Sequence, residues 1–201
     1  MAEIRALFWD VGGVLLSNAW DHEERDLAVE HFQLDKSEFE SRHQELLTAF
    51  EEGRLALDQY LERVIFFKPR PFSPEDFKRF IFSLSKPKTQ ALEFARSLSG
   101  KYLMGTINNE SRELNQYRIE TFRLIQIFDL FVSSCFVALR KPDPRIYRQA
   151  LDLTQHPADE CCFLDDRLVN IEAAASVGMQ TVLVKNSDQL QRDLQNLGVR
   201  P

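Results

Sequence analysis

FWDVGGVLL, the stretch from Phe8 to Leu16, is an apolar run that ends on an acid, Asp10, and then meets two glycines, Gly12 and Gly13. In a parallel α/β sheet ligands bind beyond the carboxyl ends of the strands, which is where Asp10 falls if residues 4–9 form a strand. Gly12 and Gly13 allow a sharp turn and bring backbone N–H groups close to an anion. The same letters also describe an ordinary strand-to-turn junction, so the rest of the chain has to decide.

Short apolar or β-branched runs recur at 102–107, 131–136, 161–164 and 180–184, separated by helix-like segments. This alternation predicts an α/β fold with a Rossmann-like parallel sheet covered by helices on both faces. Between about residues 20 and 86 no strand pattern appears. Leu46, Leu47, Phe50, Leu57, Tyr60, Leu61, Val64, Phe77, Phe80, Ile81 and Leu84 instead recur at spacings of three and four, as amphipathic helices require. Ser73-Pro74-Glu75-Asp76 supplies a cap residue, a proline at the first helical position and acids in the first turn. The segment reads as a helical insertion after the first strand, dividing the chain into a core of 1–19 and 87–201 and a helical unit of 20–86.

With 201 residues the chain can build one core domain with a modest insertion. Its 44% hydrophobic and 28% charged residues are those of a folded soluble protein, and no apolar stretch is long enough to cross a bilayer. A net charge of -6 argues against nucleic-acid binding, which needs clustered Lys and Arg, but leaves room for a small anion in a local basic pocket. The start, MAEIRALFWD, does not resemble a secretory signal. Cys135, Cys161 and Cys162 are odd in number and two are adjacent, which suits neither a disulfide framework nor a zinc site. They are expected to be reduced and buried, in a cytoplasmic protein.

Three further stretches end strands or follow them. YLMGTINN closes on Asn108 and Asn109, whose amides can donate to a bound anion; RKPDPRIY presents Lys141 ahead of a helix started by Pro144; CFLDDRLVN closes on Asp165 and Asp166, with Asn170 a helical turn later. Each has an ordinary structural reading, as a turn pair, a helix lead-in or acids at a helix N-terminus. Together, and in this order on one α/β pattern, they form a much more specific signal.

At this point the sequence resembles the haloacid dehalogenase superfamily over nearly its whole length, through DVGGVL, TINNES, RKPDP and FLDDRLVNIEAA. The insertion resembles that family's helical cap. DVGGVLLSNAWD and RKPDPRIY are similar to the branch holding sugar-phosphate phosphatases and the phosphatase-like domain of bifunctional epoxide hydrolases. The resemblance implies a Mg²⁺-dependent phosphatase of small phosphorylated metabolites, a sugar phosphate among them. Asp10 would be the nucleophile that forms an aspartyl-phosphate. Mg²⁺ would be held by Asp10, Asp165 and Asp166 with the carbonyl of Gly12. Lys141 would offset charge between nucleophile and phosphoryl group, and Asn108 with N–H groups of the Asp10 loop would hold the phosphoryl oxygens. Gly12, Gly13, Asn109, Trp20 and Arg140 are the implied substrate contacts.

Two departures stand out. The family's usual second acid, two residues after the nucleophile, is Gly12 here, and its usual Ser or Thr of the second motif is Asn108. Loss of a general acid or base costs about 10² to 10⁴ in rate, least where the leaving group departs easily. His22 is a candidate replacement base, though a surface helix position is its simpler reading. A metal-independent haloacid dehalogenase would not need the missing acid but leaves Asp165-Asp166 unexplained. A non-catalytic phosphate-binding or protein-interaction module fits the two substitutions but not the joint presence of Asp10, Lys141, Asp165 and Asp166.

Overall fold

The computed structural model describes residues 2–18 and 20–201. Met1 and Ala19 lie outside the described residues, and the expected boundary between core and helical unit falls on Ala19.

Strands β1 (Ala6–Trp9), β2 (Leu103–Asn108), β3 (Leu130–Ser133), β4 (Cys161–Asp165) and β5 (Gln180–Leu183) form one sheet in the order β3-β2-β1-β4-β5. Every neighbouring pair is parallel. β1 is central, so both of its faces are buried. Leu7 and Trp9 pack into one apolar cluster with Met104, Leu164 and Val182, while Ala6 and Phe8 pack into another with Ile107, Val132 and Phe163. A strand buried on both sides has no polar face, which is why ALFW carries no alternation.

The third strand is shorter than its sequence predicts. The run expected over 131–136 is apolar on both sides of Ser133-Ser134, but the strand stops at Ser133 and Ser134–Val137 is a short helix. A short apolar run cannot by itself distinguish strand from buried helix.

After β1 the chain makes helices α1 (His22–His31), α2 (Lys36–Glu51), α3 (Leu57–Val64) and α4 (Pro74–Ser83) before returning to the sheet. They enclose their own apolar cluster, including Phe39, Phe50, Tyr60, Leu61 and Phe77. α4 starts as its sequence predicts: Asp76 N–H donates to Ser73 Oγ at 3.2 Å, and Ser73 N–H donates to Asp76 Oδ2 at 3.0 Å. The two connections to the sheet are tied together. Ser17 N–H donates to Lys86 O at 2.8 Å, Lys86 N–H to Ser17 Oγ at 2.9 Å, and Ser17 Oγ–H to Leu84 O at 2.7 Å.

Helices α5 (Thr89–Leu98), α6 (Arg112–Thr121), α7 (Ser134–Val137), α8 (Pro144–Thr154), α9 (Leu168–Ser176) and α10 (Ser187–Asn196) complete the core. α8 begins as the Lys-Pro-Asp-Pro lead-in requires, with Asp143 accepting from Arg145 N–H at 2.9 Å and Pro144 in the first turn. The three cysteines are buried and unpaired. Among the described residues no helix is long and apolar enough to cross a membrane.

Candidate active site

The carboxyl ends of β1 and β4 lie side by side, because Trp9 pairs with Leu164 and Asp10 N–H donates to Leu164 O at 2.8 Å. This register brings Asp10 and Asp165 together. Between them stands Lys141, whose Nζ lies 2.8 Å from Asp10 Oδ1 and 2.6 Å from Asp165 Oδ2. All three side chains are almost fully buried. Asp165 is fixed further by Arg167 N–H at 2.8 Å on Oδ1 and by Asn170 Nδ2, which donates to both carboxylate oxygens at 3.1 and 3.0 Å. Val11 N–H donates to Asp10 Oδ1 at 2.8 Å, setting the rotation of that carboxylate.

Burial pushes the Asp10 carboxyl up to about 7, against the pull of Lys141 and with Asp165 adding to the rise. Burial alone would lower Lys141, but the two carboxylates touching it outweigh that and hold it above the usual lysine value. Asp166, on the rim, is raised by burial and then by the neighbouring Asp165.

Asp10, Asp165 and Asp166 each offer a carboxylate oxygen, and these lie within 4.8 Å of one another. Asp166 Oδ1 is buried and has no hydrogen-bond partner among the described residues. A set of hard oxygen donors with one left unsatisfied in the interior fits a divalent cation such as Mg²⁺.

Asp10 and Lys141 border a polar cleft of about 230 Å³ between the sheet and the helical insert. A more voluminous hollow of about 690 Å³, between α1 and α4, lies away from all four sequence motifs, so size does not locate the site. From the core, Asp10, Gly12, Asn109, Glu110, Arg118, Arg140 and Lys141 face the cleft; from the insert, Trp20, Arg25, Gln44 and Glu51 do. Its guanidinium groups are each partnered: Arg25 with Glu40 at 2.9 Å, Arg118 with Glu110 at 3.0 Å, Arg140 with Glu51 at 2.5 Å, and Arg167 with Asp21. The last two pairs join core to insert across the cleft.

Several expected contacts are placed differently. The amide of Asn109, at the cleft wall, clasps the backbone of Lys141, accepting from Lys141 N–H at 2.8 Å and donating to Lys141 O at 2.9 Å. Asn108 is buried below the cleft lining, where Nδ2 donates to Asn115 Oδ1 at 3.0 Å and Oδ1 accepts from Ser133 Oγ–H at 2.8 Å. A short polar amide at the end of a buried strand takes the partners that satisfy it, and those are in the core. In the Asp10 loop, the Gly13 N–H is spent on Leu16 O at 2.9 Å. Only Gly13 of the two glycines has a positive φ, +76°. Gly12 does not, and a Cβ there would meet Asn18 Oδ1 at 3.4 Å and Arg118 Nη1 at 3.7 Å, which is ordinary contact.

Trp20 lines the cleft and also packs the insert, with its Nε1–H donating to Tyr60 OH at 3.2 Å and its ring edge-on to Phe39 and Phe77. His22 is a surface residue, its side chain 68% exposed beside Asp26, and takes no part in the cleft. The residues missed by sequence reading are Glu110 and Arg118. Both are buried and charged, and the only written signal was an acid directly after Asn108-Asn109 and an arginine two helical turns later.

The chain belongs to the haloacid dehalogenase-like hydrolases, whose family model matches residues 4–178. It is 37% identical over 70 residues to bifunctional epoxide hydrolase 2 of Sus scrofa, covering 35% of this chain and 13% of the relative. It is 32% identical over 113 residues to the phosphatase MT3486 of Mycobacterium tuberculosis, covering 54% and 51%. The chain thus spans a small part of the epoxide hydrolases and about half of the phosphatase. Its fold is similar to that of a haloacid dehalogenase family enzyme of Bacteroides thetaiotaomicron, with a TM-score of 0.81, 20% identity and coverage of 92% and 95%. The same enzyme in complex with magnesium and inorganic phosphate gives a TM-score of 0.77 at 20% identity, covering 91% and 95%.

Proposed function

We propose that the protein is a Mg²⁺-dependent phosphatase of small, polar phosphorylated metabolites. The observation that carries this is the convergence of Asp10, Lys141, Asp165 and Asp166 at two adjacent strand ends. A lone carboxylate beside a lysine would suit displacement of halide equally well. A second and third carboxylate on the same point bring three acids to the single ammonium of Lys141, an excess of negative oxygen donors that suits a divalent cation. The phosphatase relative and the magnesium and phosphate bound by the Bacteroides enzyme support the same reading.

In this reading Asp10 attacks phosphorus and forms an aspartyl-phosphate, which water then hydrolyses. Asp10, Asp165 and Asp166, with the Gly12 carbonyl, would hold Mg²⁺, which supplies Lewis-acid stabilisation of the phosphoryl oxygens. Lys141 offsets the repulsion between a carboxylate nucleophile and a phosphate dianion. Asn109 fixes the lysine's backbone so that the ammonium does not reorganise during the reaction. The polar cleft of about 230 Å³, rich in arginine, acid and amide groups, suits a compact hydroxylated substrate of sugar-phosphate type. The four helices of the insert act as its cap.

The test is hydrolysis of para-nitrophenyl phosphate. Activity is expected with Mg²⁺, absent in chelator, and abolished in Asp10→Asn, whose neutral amide removes the attacking charge and a metal ligand. Full activity in chelator or in the variant would overturn the mechanism. Halide release from a haloacid in chelator would favour the dehalogenase, and binding of phosphate without turnover of any ester would favour the non-catalytic module.

A further inference from the structure

Gly12 brings no acid to the cleft, yet an alkyl phosphate releases a basic alkoxide that needs a proton. Asp10, Asp165 and Asp166 are committed to attack and metal binding. Glu110 is committed to neither. It stands two residues past the end of β2, is only 6% exposed, and lines the same cleft as Asp10 and Gly12. Its Oε2 accepts from Arg118 Nη1 at 3.0 Å and its Oε1 from Ser111 N–H at 3.0 Å. Each oxygen keeps a second lone pair. Arg118 reaches to 3.7 Å from the point where a Gly12 Cβ would stand, so the Glu110 carboxyl lies one guanidinium away from the space left empty at Gly12. Arg118 itself is anchored by Ser17 O, which holds the pair in place.

We infer that Glu110, oriented by Arg118, is the proton donor and acceptor of the reaction, working from β2 in place of an acid at position 12. This rests on the phosphatase reading. When the Asp10 carboxylate bonds to phosphorus and the ester P–O bond breaks, Glu110 gives its proton to the departing oxygen, releasing an alcohol. The resulting carboxylate takes a proton from the water that attacks the aspartyl-phosphate. Inorganic phosphate leaves, and Asp10 and protonated Glu110 are restored.

The surroundings suit both halves of this cycle. Burial raises the Glu110 carboxyl to about 7 against the pull of Arg118 on α6, and Glu51 on α2 and Asp10 just past β1 raise it further; the Cys135 thiol on α7, also facing it, is uncharged. A group poised near neutrality donates and accepts with similar ease. Glu51, the other acid of the inner cleft, rides on the insert and is held by Arg140 at 2.5 Å.

The experiment compares glycerol phosphate with para-nitrophenyl phosphate in wild type, Glu110→Gln, Glu110→Asp and Glu51→Gln, all with Mg²⁺. Glu110→Gln is expected to lower kcat/KM about 10²-fold or more for the alkyl ester and about tenfold or less for the aryl ester. It is also expected to release a burst of one nitrophenolate per active site, because the aspartyl-phosphate forms but hydrolyses slowly. Glu110→Asp, which keeps a carboxyl, is expected to recover part of the alkyl activity. Equal losses on both esters without a burst would overturn the inference, as would the same signature in Glu51→Gln and not in Glu110→Gln. Failure of the wild type to hydrolyse either ester would instead overturn the phosphatase reading, and this inference with it.

Discussion

Gly13 and Asp166 are packed so closely that a Cβ on Gly13 would fall 2.0 Å from Asp166 Oδ2. The turn after Asp10 and the acid pair at the end of β4 therefore fit only because one side chain is missing.

Gly13→Ala is accordingly expected to push Asp166 out of the acidic cluster and, with φ at +76°, to strain the turn by about 1–3 kcal/mol. Isothermal titration should find Mg²⁺ affinity reduced at least about tenfold, with a lowered Tm. Gly12→Ala, whose Cβ has room, should change Tm little. Similar effects of the two substitutions would mean that Asp166 is not a ligand.

Lys141→Met is expected to cost about 10² to 10³ in kcat, the range of a lost charge-stabilising donor, because it removes the ammonium that faces Asp10, the proposed nucleophile. It should also lower Tm in the metal-free protein, since two buried carboxylates lose their counter-charge. Arg145 pairs with Asp143 on the exposed start of α8, and Arg145→Ala is expected to leave turnover within about twofold. Comparable losses in the two variants would show the wrong cation has been placed at the site.

His43 makes stability depend on pH. Its Nδ1 lies 2.7 Å from Tyr60 OH, which also accepts from Trp20 Nε1–H at 3.2 Å, and the ring is buried. Burial, then Arg25, lowers its pKa from 6.5 to about 4. The unfolded chain therefore binds the extra proton first. The stabilisation is fully present above about pH 6.5 and is lost as pH falls towards 4, amounting to about 3 kcal/mol over that whole window. Urea unfolding at about pH 7 and pH 5 should show this loss in wild type and a smaller one in His43→Gln; equal slopes would refute it.

Gly12→Asp offers a further check. Its Cβ fits, and the new carboxylate would stand beside Arg118. In the Glu110→Gln background it should restore alkyl ester turnover by about tenfold or more, since it returns an acid to the same guanidinium. No recovery, with Mg²⁺ affinity unchanged, would show that protonation is not what that variant lacks.

The sheet and the acids at its strand ends were legible because a strand buried on both faces must be apolar and must break where a charge begins, as ALFW does at Asp10 and CCFL does at Asp165. α6 was opaque for the opposite reason. RELNQYRIET has the texture of a solvated helix, yet Asn115 and Arg118 are buried and hydrogen-bonded to Ser133, Asn108, Glu110 and Ser17. Burial by pairing leaves no periodic trace, so nothing in the sequence singles out Glu110. Asn109 was visible, but its role was not: whether an amide faces a ligand or a neighbouring loop depends on a contact with Lys141, 32 residues away.

The knot of hydrogen bonds among Ser17, Leu84 and Lys86 has a consequence for how such a protein varies over generations. The helical excursion leaves and re-enters through one doorway, and every ladder of the sheet joins segments outside it. Length and composition can therefore drift inside the loop without disturbing the register that sets Asp10 beside Asp165. Selection can rebuild the outer wall of the cleft, and with it the choice of what is admitted, while inheriting the chemistry intact.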